Sequence, residues 1–196
     1  MLHWSLPFGI EEIVGAPFKF GVPFDQIYEY PNVFAIEKTT GPDRLIIAPS
    51  ANHISIMIEL LQVMPAPFWI LYLLTVPRGG GEAGRYESVN TLSAGEAEKF
   101  LCRFKDFFEK DGRHNIWIKS LSSPCLLVDD KHDVIYGYGQ LPDFETILLN
   151  RGLSKVECIR FPAPHAHNFH PEFDRDEKDL LRSYPRKRSP LRESDD

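Results

Sequence analysis

The chain has 196 residues, 43% of them hydrophobic and 26% charged, with a formal net charge of -6. This is ordinary globular usage at a length that buries a core without metal or disulfide staples, so one domain is expected. The acidic balance argues against nonspecific nucleic-acid binding, which needs a basic face to displace counterions from phosphates.

Cys102, Cys125 and Cys158 form neither a C-x-x-C pair nor an even set, so no disulfide framework or cysteine zinc site is expected. Residues 1–7 lack the basic end and apolar run of a signal peptide, and Glu11 and Glu12 arrive early. Reduced thiols and no export signal make a cytoplasmic protein the expectation. The apolar stretch 54–76 is long enough to span a bilayer, but Glu59, Gln62, Pro65 and Pro67 interrupt it. A buried helix followed by a central strand accounts for it better.

Residues 1–32 are rich in proline, glycine and aromatics and read as an irregular arm laid on the core, because its rings are costly to leave in water. Residues 33–37 and 45–48 read as a hairpin. A helix capped by Ser50 or Asn52 runs to about Met64, apolar on more than one side, although the alternation of Ile54, Ile56 and Ile58 leaves a strand open. Residues 68–76 make a strand covered on both faces, and 86–89 return from it. The glycine loop between them, 78–85, feeds a strand and has no phosphate-binding lysine, so it reads as a hairpin loop.

The clearest helix begins with the capping box Ser93 and Glu96, then buries a stripe of Ala97, Phe100, Leu101, Phe104, Phe107 and Phe108. Residues 116–118 follow as a short strand. Residues 125–128 and 134–138 form a hairpin around the turn 129–133, whose aspartates read as turn formers. Pro142 opens a helix that Gly152 ends, and 156–161 is expected to be a strand. Gly137 and Gly139 in the preceding strand point to close backbone approach, most simply to a packed helix. Residues 183–196 are almost without apolar content and are expected to be a disordered charged tail. The fold class is therefore α+β, with one domain over 1–182. Its sheet should be mainly antiparallel, of about six to eight strands, covered by about three helices.

Chemistry concentrates in His165-Ala166-His167-Asn168-Phe169-His170. On an extended segment His165 and His167 share one face, as a chelating pair requires. His170, Glu172 or Asp174 would complete a nitrogen and oxygen site for zinc or another divalent metal. The spacing resembles the H-x-H-x-D-H motif of the metallo-β-lactamase fold, but Phe169 stands where that family has its aspartate, so nothing is carried over from it. With no complete catalytic constellation, the leading expectation is a non-catalytic binding protein acting on another protein, with Phe18, Phe20, Phe24 and Tyr28 of the arm as contact surface and no cofactor. The alternative is a metal-dependent hydrolase built on the histidine cluster.

Overall fold

The computed structural model of the protein describes residues 17–22, 26–183 and 185–195. Alternation along two central strands sets its layers. Phe68, Ile70, Tyr72 and Leu74 of one (β5 below) and Ile116 and Ile118 of the other (β7 below) are buried toward one side of the sheet, in a single core cluster. Helices cover that side. The opposite side carries a smaller cluster of Phe20, Tyr30, Ile46, Ala48 and Val134.

In chain order the strands are β1 (Phe20–Val22), β2 (Gln26–Ile27), β3 (Val33–Glu37), β4 (Arg44–Ala48), β5 (Phe68–Leu74), β6 (Gly84–Ser88), β7 (His114–Ser120), β8 (Leu126–Asp130), β9 (Val134–Tyr138), β10 (Ser154–Lys155), β11 (Ala166–His167) and β12 (Arg186–Ser189). The α-helices are α1 (His53–Gln62), α2 (Ala94–Arg103), α3 (Lys105–Lys110), α4 (Leu141–Asn150) and α5 (Asp174–Arg182). Nine strands form one mixed sheet in the order β10-β3-β4-β9-β8-β7-β5-β6-β12, and β11-β1-β2 form a second. In the large sheet only the β10–β3 pairing is parallel.

The α+β class stands, while both element counts exceed expectation. β12 lies in the stretch read as disordered, and pairs with β6 from Arg186 opposite Ser88 to Ser189 opposite Arg85. An edge strand is held by main-chain bonds and tolerates charged side chains, so polar composition did not exclude it. The expected strand over 156–161 is irregular instead. Only Ser154 and Lys155 pair, and Phe161 is 38% exposed beside Pro162.

Helix α1 is apolar on more than one side because it packs against α2, α3, α4 and the sheet together. Its cap is not local: Asn52 makes no side-chain cap bond, and the Glu109 carboxylate accepts the Ile54 amide at 2.9 Å. At α2 the expected capping box is present, with Ser93 N donating to Glu96 Oε2 at 2.8 Å. The phenylalanine stripe then continues through a break at Phe104 into α3. Gly137 approaches a helix, as anticipated, since a Cβ there would lie 3.2 Å from the Phe144 ring of α4. No helix among the described residues is long and apolar enough to cross a membrane.

The glycine loop has a specific job. Arg78 N, Gly79 N and Gly81 N all donate to the Glu177 carboxylate of α5, at 2.9, 2.9 and 3.2 Å. A Cβ at Gly79 would sit 2.4 Å from the Asp174 carbonyl oxygen, so the loop closes on α5 only with glycine there. Behind it the buried Arg113 guanidinium bonds Asp111, Asp174, Glu177 and the His170 carbonyl. Every nitrogen of Arg113 is used, which is how a buried cation avoids the full cost of leaving water. Glu177→Gln leaves Arg113 and three amides facing a neutral group and should cost about 3 kcal/mol in urea unfolding. That exceeds the cost of Glu96→Gln in the exposed capping box.

Candidate metal centre

His132 lies in the turn between β8 and β9, where Asp133 takes a left-handed conformation at φ 59. The Asp130 carboxylate accepts the His132 main-chain N–H at 2.9 Å and also holds His132 Nδ1, leaving Nε2 for a ligand. His167 lies on β11 and His165 just before it, and β11 pairs with β1 so that His167 lies opposite Phe20. The offered nitrogens of the three imidazoles lie within 4.8 Å of one another.

The Phe20 ring touches all three imidazoles, with ring centroids 5.6 Å from His132, 5.3 Å from His165 and 5.8 Å from His167. His165 Nδ1 donates to the Pro162 carbonyl at 3.1 Å, so its Nε2 is also available. A histidine ligand is normally oriented in this way, by a hydrogen bond from its other nitrogen. His167 Nδ1 is buried with no partner. Burial, reinforced by neighbouring His132, pushes the His167 imidazole down to about 4, so at neutral pH it is uncharged, as metal ligation requires.

The expected pair His165 and His167 thus comes together, on one face of an extended segment. The remaining expected ligands do not join it. His170 Nε2 donates to the Phe18 carbonyl at 2.9 Å, Glu172 is exposed, and Asp174 is engaged by Arg113 and Arg78. The third imidazole is His132, which sequence spacing did not single out, because only the tertiary packing of the β8–β9 turn against the arm and β11 carries it there. Its local signal was a histidine two residues after an aspartate at a hairpin tip. Of the arm aromatics, Phe20 is fully buried, Phe18 and Tyr28 are half-buried, and Phe24 lies outside the described residues.

A buried ion network pins this arrangement. Lys19, 1% exposed, reaches both oxygens of Asp129 at 3.2 Å and Asp133 Oδ1 at 3.5 Å. His53 Nε2 donates to the Asp133 carbonyl at 3.0 Å. Burial alone would push the Lys19 ammonium down, but Asp129 and Asp133 together outweigh it and raise it. Burial pushes Asp129 up to about 6 against the pull of Lys19, and burial with Lys19 pushes His53 down to about 4. Asn168 N donates to the Lys19 carbonyl at 3.0 Å and Gly112 N to the Asn168 carbonyl at 2.8 Å, which ties the histidine segment to the arm and to the start of β7.

Two cavities flank the cluster. One, of about 290 Å³, is lined by His132, Asp130, Trp117, Tyr136 and Arg44 among others. The other, of about 630 Å³, is lined by His167, Gly112, Phe169, Leu191 and Arg192 among others. Lys131 and Asp195 line both. A cavity of about 310 Å³ beside α2, lined also by Ser88, Thr91, Ser183 and Pro185, shares no lining residue with either. Neither a protein-family model, nor a curated protein, nor a solved structure matches the chain.

Lys19→Met strands the buried Asp129 carboxylate and the partly buried Asp133 and should cost about 3–5 kcal/mol near pH 7. Asp129 is already raised in the folded state, and without Lys19 it rises further. A carboxyl raised on folding contributes stability at low pH that is lost as pH rises through its folded value. The deficit against the parent protein should therefore be larger at pH 7 than at pH 5 in paired denaturant titrations.

Proposed function

We propose that the protein binds one divalent transition-metal ion, zinc foremost, through His132, His165 and His167, and works as a metal-dependent hydrolase. The observation that carries this reading is the convergence of three imidazoles from two separate stretches of chain, two of them already oriented through their outer nitrogens by Asp130 and Pro162. Three protein nitrogens leave a fourth tetrahedral position open, the pattern of catalytic rather than structural zinc. A metal there supplies a water ionised near pH 7 as nucleophile.

Tetrahedral bonds of about 2.1 Å place ligand nitrogens about 3.4 Å apart, so uptake draws the rings inward. The exposed His165 is the ring with room to swing. Burial keeps His167 neutral, Asp130 fixes the His132 tautomer, and the cavities on either side give a substrate access to the open position. The competing reading, a non-catalytic partner of another protein, started from an acidic chain without a complete catalytic constellation and took the aromatic arm as added contact surface. Phe20 and Tyr30 of that arm are buried in the protein's own second core cluster, so much of its ring surface serves the fold.

Titrating chelator-treated protein with Zn²⁺ or Co²⁺ should give one site per chain. His132→Ala and His167→Ala should abolish it, and Asp130→Asn should weaken it about 10–100-fold. His170→Ala should leave it unchanged. Equal loss in His170→Ala, or no binding by the parent protein, would overturn the reading. Metal-dependent cleavage of an activated ester, absent in His132→Ala, would support the hydrolase assignment.

A further inference from the structure

Among the described residues the two buried arginines, Arg85 on β6 and Arg113 just before β7, are satisfied very differently. All nitrogens of Arg113 are engaged, by three carboxylates and a carbonyl. Arg85 on β6 is 6% exposed, yet its Nε is buried with no partner. Its Nη1 donates to Asp195, which is 5% exposed and also accepts the Arg192 amide at 2.8 Å. A guanidinium presents a fork suited to bidentate oxyanions, and here one carboxylate oxygen meets one prong.

Asp195 stands at a telling place. With Lys131 it lines both cavities beside the histidines, and Leu191, Arg192 and Glu193 line the larger one. If residues 191–195 moved away, the two cavities beside His132 and His167 would open as a groove toward Arg85, the partner of the Asp195 that lines both. The smaller cavity already has the walls of a ligand site. Trp117 lines it with a buried, unpartnered Nε1, and Arg44 lies over the Tyr136 ring at 4.3 Å.

We infer that this groove binds a ligand bearing an oxyanion, a carboxylate or a phosphate, which takes the place of Asp195 on Arg85 and lies along Trp117 and Tyr136. Asp195 is then an internal stand-in for that group. The site does not depend on the metal and can be tested without it.

The experiment measures thermal unfolding of metal-free, dialysed protein as inorganic phosphate or acetate is added, with chloride at matched ionic strength as control. Asp195→Ala vacates Arg85. Phosphate or acetate at about ten times its dissociation constant should raise the Tm of that variant by about 3–5 °C more than that of the parent protein. General salting-out stabilisation by phosphate raises both alike, so only the difference is read. The difference should vanish in Asp195→Ala combined with Arg85→Gln, or be at least halved with Arg85→Lys if the glutamine variant does not fold. A shift with phosphate alone assigns a phosphorylated ligand, and one with acetate alone a carboxylate. Equal shifts in parent and Asp195→Ala, or a difference that survives loss of Arg85, would overturn the inference and leave a structural ion pair.

Discussion

Taking a lysine ammonium out of water is costly unless opposite charge meets it, and Lys19 is almost completely enclosed. Its partners, Asp129 and Asp133, lie on either side of the turn that presents His132. One interaction therefore anchors the arm to the hairpin and sets the position of the candidate metal centre. Phe20, the next residue, brings its ring under the three imidazoles, and β11 pairs along the same short strand. Arm, hairpin and histidine segment meet because a buried charge admits few alternative arrangements.

Several charged groups of the interior are closely satisfied. Glu177 collects three loop amides and an arginine, Asp111 takes two prongs of Arg113, and Glu109 caps α1 from across a helix boundary. Some buried side-chain atoms have no partner: Tyr72 Oη and both His114 nitrogens lie in the main core, whereas His167 Nδ1, Trp117 Nε1 and Arg85 Nε lie around Asp195. His167 and Trp117 line the two cavities that share Asp195, and Arg85 bonds to Asp195. Buried donors and acceptors left idle carry a free-energy cost, and a ligand in this groove would relieve it for the three atoms beside Asp195.

Some elements were legible locally. The strands 33–37 and 134–138 appear at the expected bounds, because period-two apolar runs flanked by turn residues have few other solutions. The Ser93 and Glu96 box and the phenylalanine stripe announced α2, although its break at Phe104 was not announced. Helix α5 went unseen. Its first turn is crowded with Asp174, Asp176 and Glu177, and its one fully enclosed acid makes sense only when the glycine loop and Arg113 surround it.

By itself the sequence determined the α+β class, most strand and helix cores, and the shared face of His165 and His167. Each of these follows from backbone geometry over a few neighbouring residues. Only the tertiary structure decided that His132 completes the cluster, that His170 and Asp174 serve the fold, that 186–189 closes the sheet edge, and that Asp195 occupies Arg85. Those outcomes depend on which distant segments pair and which charges are buried together, and local periodicity carries no record of either.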